Sequence, residues 1–166
     1  MIPKSKAKRS HLLKGGAFAG IVGGLVILLV AVFGNLAQGR GFWLGLKGAS
    51  VLFLAPARAS APGFDAGAVL LGLLVHFAVA AFWGVLFALV VYGASQAITL
   101  AAGIGWGFAV WIGMYYVVLP IVGLGSMAHA QPVGAAIVEH VIFGVATALG
   151  FLPYQRTEPS GLASAH

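Results

Sequence analysis

The stretch AGAVLLGLLVHFAVAAFWGVLFALVVY, residues 66–92, decides the fold. It contains no Asp, Glu, Lys or Arg. At 1.5 Å rise per residue it exceeds the about 20 residues with which a helix crosses a hydrocarbon core of about 30 Å. Three other segments reach that length: Gly15 to Leu36, Ala97 to Val122 and Pro132 to Leu152. Turn-forming residues separate them, at 92–96 and again at 123–132. Pro132 stands at the favoured start of the last helix. The sequence predicts an all-α, polytopic four-helix transmembrane bundle over residues 15–154, with a basic arm (1–14) before it and a tail (155–166) after it.

Composition supports a lipid solvent. Of 166 residues 61% are hydrophobic and 7% charged, where soluble domains carry about a quarter charged residues. The formal net charge of +6 is not that of a nucleic-acid binder, which needs basic residues along a face that tracks phosphates. Lys4, Lys6, Lys8, Arg9 and Lys14 instead cluster just ahead of the first apolar run, as cytoplasmic anchoring predicts. Such an arm attracts anionic headgroups at about 1 kcal/mol per basic residue near the surface. Adding Arg156 in the tail gives six positives on the side of the termini, against Arg40, Lys47 and Arg58 in the first connection. Both ends are therefore expected in the cytoplasm. The run from 15 to 36 is long for a signal-peptide core and is read as a retained span. Cysteine is absent, which removes disulfides, thiolate catalysis and Cys-based metal sites.

The first connection holds a shorter apolar piece, residues 42–54, interrupted by Lys47. It is too short to span and reads as an interfacial segment. The loop Pro56–Gly63 follows.

Within the spans, small residues recur every fourth position and so share a helix face. The ladders are Gly16, Gly20, Gly24 in the first span; Gly72, Ala80, Gly84, Ala88 in the second; Gly105, Ala109, Gly113 in the third; and Ala136, Gly144, Ala148 in the fourth. Small stripes are where membrane helices pack. The second and fourth ladders each contain a histidine, His76 and His140, so the chain reads as two related helical hairpins.

His76, Glu139 and His140 are the ionisable residues expected inside the bilayer, where such groups mark functional sites. The residues call for no cofactor. The one group the histidine pair would suit is a bis-histidine haem b, with small neighbours leaving room for the macrocycle; the alternative role is interhelical hydrogen bonding. Glu139 offers a proton path or a cation site. Trp106, Trp111, Tyr115 and Tyr116 in the third span are candidates to wall a quinone or lipid-tail pocket, or to serve as belt residues. Pro120, which cannot donate to the carbonyl of Tyr116, should bend that helix. His129 with Met127, His11 and His166 are too dispersed for a metal site, and no catalytic triad, paired carboxylates or phosphate loop is present in the sequence.

Three pieces, VHFAVAAFWGVLFALV, GIGWGFAVWIGMYYVVLP and EHVIFGVATALGF, resemble a family of small four-span bacterial inner-membrane proteins of no assigned function. The matching positions are His76, Trp83, Gly84, Gly105, Gly107, Trp111, Pro120, His140, Phe143, Gly144 and Gly150. The resemblance covers about half the chain, from Leu74 to Tyr154. It implies a bacterial inner-membrane location and the four-span topology, and no mechanism. The function expected is that of a non-enzymatic structural or accessory subunit, in a membrane complex or a homo-oligomer. The alternatives are a haem- or quinone-binding electron-transfer subunit and a proton-coupled carrier or channel.

Overall fold

The computed structural model describes residues 4–126 and 132–155, with side chains from residue 9 onward. Expectations for Met127, His129, Arg156 and His166, and for the side chains of Lys4, Lys6 and Lys8, fall outside the described residues. The described chain is all-α. Helix α1 runs Lys4–Ala37, α2 Phe42–Lys47, α3 Pro56–Ala59, α4 Ala66–Val91, α5 Gln96–Ile112, α6 Leu119–Ile121 and α7 Val133–Phe151. Four stretches are long and apolar enough to cross a membrane: Arg9–Ala37, Ala66–Val91, Gln96–Ile121 and Val133–Tyr154. The molecule is a multi-pass four-helix bundle.

Helix starts are capped as the sequence dictates. Asp65 accepts from the Ala68 N–H at 3.0 Å ahead of α4, and Ser95 from the Ile98 N–H at 3.3 Å ahead of α5, which satisfies donors a first turn leaves open. Gly93, at φ 91°, turns the chain between them, a conformation that L side chains rarely adopt.

Two hairpins form, α1 on α4 and α5 on α7, and they join through α1 on α7. The contacts are made by glycine. A Cβ on Gly84 would strike the backbone of Gly20, one on Gly16 would meet Val85 and Ala88, and one on Gly24 would lie 2.7 Å from the Ala80 Cβ. A second face of α1, Gly15, Ala19 and Gly23, takes α7: Gly15 lies under the Tyr154 ring, Gly23 against Phe143 and Thr147, and Gly150 against Ala19 and Val22. That face also repeats every fourth residue, and it is absent from the expected ladders.

In the second hairpin the expected register is corrected. Gly105 and Ala109 are exposed on the outer surface, and a Cβ on Gly105 would meet nothing. The face that packs is Thr99, Gly103 and Gly107, with Gly103 on Gly144 and Ala148, and Gly107 on His140 and Val141. A Cβ on Gly113 would meet the Trp83 ring. Residues 103 and 105 differ by about 200° around a helix, so one glycine run offers two opposite faces and α7 takes the other one. The hairpins then match position for position: Gly24 meets Ala80 as Gly107 meets Gly144, and Gly20 meets Gly84 as Gly103 meets Ala148. Gly72 and Ala136 are buried too, Gly72 beneath the Leu46 carbonyl of the first connection.

α4 and α5, although joined by a short turn, lie apart, and rings fill the space between them. Trp83 meets Trp106 edge-on at 5.9 Å and Phe87 meets Trp106 at 5.7 Å. Phe87 and Phe151 then centre an apolar core with Ala19, Ala88, Val91 and Ala148 in the half of the bundle that carries the chain termini.

Tyr154 packs on His11 and Phe18, so the start of the first span and the end of the last meet at one end, here the terminal end. Gln155, read from sequence as tail, closes it: Nε2 donates to the Val91 carbonyl at 2.9 Å and to Thr99 Oγ1 at 2.5 Å, and Oε1 accepts from the Gly93 N–H. Gln155→Ala removes all three bonds and leaves the buried Thr99 hydroxyl without this partner. A loss of about 1–3 kcal/mol is expected, measured by denaturant titration in micelles.

At the opposite, loop end the first connection folds onto the bundle. The segment α2 continues as a 3-10 turn over Gly48–Leu52, with Gly45 seated on Val32 of α1 and Trp43 against Phe64 at 4.7 Å. Lys47, expected to interrupt an interfacial piece, is fully buried. Its ammonium donates to the carbonyls of Ala61 and Gly63, so the charge organises the loop instead of reaching outward. Arg58 and Asp65 pair at 2.8 Å beside it. The Arg58 guanidinium, helped by the Ala68 N–H, holds the Asp65 carboxyl well below the usual carboxylate range. A depressed folded pKa means that the pair's contribution is complete above about pH 3.9, the ordinary Asp value, and is lost only as pH falls towards the folded one. An NMR titration of Asp65 should accordingly show no protonation step near 3.9; a step there would contradict the pair.

Candidate functional site: an intramembrane cavity

Between α4, α5 and α7, in the half of the bundle towards the loop end, lies a cavity of about 280 Å³. Its walls are apolar, with Val79, Trp83, Val110, Met114 and Phe143 among them, and Gly48, Ala49, Val51 and Leu52 of the 3-10 turn reach its edge. His76, Glu139 and His140 all line it. The second and fourth spans run in the same direction and place the two histidines at similar depth, so the pair that one shared group would need does come together, and Glu139 joins it in the lining.

Each histidine is committed through one nitrogen. His76 Nε2 lies 2.8 Å from the Gly24 carbonyl, across the α1–α4 contact. His140 Nδ1 lies 2.8 Å from the carbonyl of Ala136, one turn back on its own helix. A nitrogen facing a carbonyl must carry the hydrogen, which sets the tautomer. The His140 ring also meets Tyr115 edge-on at 5.5 Å.

This arrangement does not suit a bis-histidine haem. The Nε2 of His76, the nitrogen an axial ligand would use, serves the Gly24 carbonyl. The room that small neighbours were expected to leave is filled by helix backbone, Gly24 on Ala80 and Gly107 on Gly144. Among the described residues no group of three His, Asp or Glu is close enough to hold a metal ion.

The aromatic wall is also corrected. None of Trp106, Trp111, Tyr115 and Tyr116 lines the cavity; this span supplies Val110, Met114 and Leu119. Trp106 is spent between α4 and α5, and Trp111 packs on Tyr115 and on the exposed Tyr116. The rotation has a cause. Pro120 withholds the N–H that Tyr116 needs, and the helix widens to a π-type turn over Gly113–Val118 before resuming as α6. Such turns recur at functional sites, and this one presents Met114, whose sulfur accepts from Trp83 Nε1 at 3.4 Å. Trp83 was singled out in the sequence only through the family resemblance, and Met114 not at all. The available signal was the proline six positions after Met114.

At the terminal end the cluster of Ala19, Phe87, Ala88, Val91, Ala148 and Phe151 fills the space between the helices.

Fold and site together define a multi-pass helical membrane protein with a polar-edged cavity between its helices. No protein-family model, curated protein or solved structure matches the chain.

Proposed function

We propose that this chain is a non-enzymatic protein of the bacterial inner membrane, with both termini cytoplasmic, that receives a small, largely apolar molecule in the cavity between α4, α5 and α7. It would stand with the four-span family it resembles. The convergence of His76, Glu139 and His140 on one apolar cavity carries this reading. Ionisable groups within spans mark functional sites, and an apolar pocket with a few convergent polar groups is the usual form of a ligand site. A cavity of about 150 Å³ accepts benzene; 280 Å³ accommodates one substituted ring.

Trp83 reports on the site. In nanodiscs, 4-bromotoluene should quench tryptophan fluorescence with a saturable component, and Ala49→Phe, which fills the cavity from the 3-10 turn, should remove that component without lowering the melting temperature. Quenching that is linear in both proteins would sink the reading.

A second role, docking on a membrane partner or another copy, is favoured by the outward ladder Ala97, Ala101, Gly105 and Ala109 of α5, all exposed. It repeats the spacing of the faces that pair inside the bundle. The chain lacks cysteine, so Gly105→Cys gives a clean crosslinking test in native membranes.

A further inference from the structure

We infer that the cavity's ligand is a lipid whose compact ring head donates a hydroxyl, with an apolar tail lying along α4; the inference rests on the cavity being a binding site. Two observations carry it, one for the head and one for the tail.

The head is set by the histidines. Each gives its N–H to a backbone carbonyl, His76 through Nε2 to Gly24 and His140 through Nδ1 to Ala136. A neutral imidazole that donates through one nitrogen keeps the other as a bare lone pair. His76 is left with Nδ1 and His140 with Nε2, both acceptors. Glu139 contributes a carboxyl group to the same lining. A head that brings a hydrogen matches two lone pairs; a carbonyl or ether oxygen placed against them meets its own kind. The volume, about 280 Å³, and the flat walls of Trp83 and Phe143 suit one ring.

The tail is set by what adjoins the cavity. On the outer side of α4 an apolar groove runs past Phe53, Leu71, Leu74 and Ala78, and it shares Leu52, Val75 and Val79 with the cavity. A single layer of side chains divides the two spaces. Leu52 closes the 3-10 turn and lines both spaces, and Phe53 beyond it is 72% exposed, so the two spaces adjoin where this turn meets α4. A chain attached to the ring then lies on α4 in contact with the bilayer, at no cost in exposed apolar surface.

The test uses the full chain in nanodiscs, with displacement of 4-bromotoluene followed through tryptophan fluorescence. The competitors are 4-decylphenol, 4-decylanisole, 4-methylphenol and hexadecan-1-ol, compared at equal mole fraction in the bilayer. 4-Decylphenol should displace the probe at a concentration at least tenfold below that of 4-decylanisole, which keeps ring and tail but lacks the hydrogen. It should also outcompete 4-methylphenol, which lacks the tail, and hexadecan-1-ol, which lacks the ring. His140→Phe should bring the phenol-to-anisole ratio to within about twofold. Ala78→Trp, which obstructs the groove from outside the bundle, should weaken 4-decylphenol towards 4-methylphenol and leave the latter unchanged. Equal displacement by phenol and anisole in the native protein overturns the hydroxyl assignment while the cavity reading stands. Hexadecan-1-ol equal to the phenol overturns the ring. Absence of saturable 4-bromotoluene binding removes the cavity reading itself. The native-protein comparisons decide the matter even if a variant fails to fold.

Discussion

Replacing Gly84 by alanine should cost about 3 kcal/mol or more and leave little folded protein in mild detergent. The added methyl group would lie on the backbone nitrogen and Cα of Gly20, atoms that cannot rotate away, so α1 and α4 must separate along the whole ladder from Gly16 to Gly24. Overpacking against movable side chains already costs about 1–3 kcal/mol. Separation here also moves the Gly24 carbonyl from His76, exposing one polar contact in the span. Gly105→Ala is the matched control: same substitution, same kind of ladder, open space around it. Its effect should stay within about 1 kcal/mol. Denaturation of both variants by SDS titration separates them, and equal losses would mean that the α1–α4 register described above is wrong.

The second large effect concerns Lys47. Lys47→Met keeps the length and apolar character of the side chain and removes the ammonium, leaving the carbonyls of Ala61 and Gly63 without the donor that gathers them. Hydrogen bonds to a charged group contribute about 1.5–3 kcal/mol each, and methionine recovers part of the packing. A net loss of about 2–4 kcal/mol is expected, together with proteolytic access to the Pro56–Gly63 loop. Arg58→Met, by contrast, breaks an ion pair between largely solvated side chains, and such pairs contribute little. A Lys47→Met protein as protease-resistant as the parent would remove Lys47 from its structural role.

The four helices were legible because bilayer thickness sets a length that four long apolar runs meet, and because turn-forming residues at 92–96 and 123–132 separate the later ones. The intramembrane polar groups were legible for a related reason: so few ionisable residues lie within the spans that composition alone isolates His76, Glu139 and His140. That Glu139 shares a cavity with the two histidines was not legible, since it depends on how each helix rotates about its axis. The third span shows the difficulty most clearly. Glycines at 103, 105 and 107 give the helix two glycine-bearing faces, and only the partner decides between them. Trp106 and Trp111 were misplaced by the same ambiguity, compounded by the widened turn ahead of Pro120. Lys47 and Gln155 failed for another reason. Both are polar residues that sequence assigns to water, and both are held by backbone groups far along the chain, the carbonyls of Ala61 and Gly63 in one case and Val91 with Gly93 in the other.

The two glycine faces of α1 carry a consequence for biogenesis. Of the four spans α1 is made before the others, and it is the one on which the second hairpin finally docks: its Gly16 face can be matched once α4 is made, but its Gly15 face waits for residues 143–154 of the last span. Throughout most of synthesis this helix therefore sits in lipid with one side unclaimed. Completion of the bundle is a post-insertion event, and a nascent chain stalled before α7 would present an adhesive surface to whatever quality-control protease or insertase patrols the membrane.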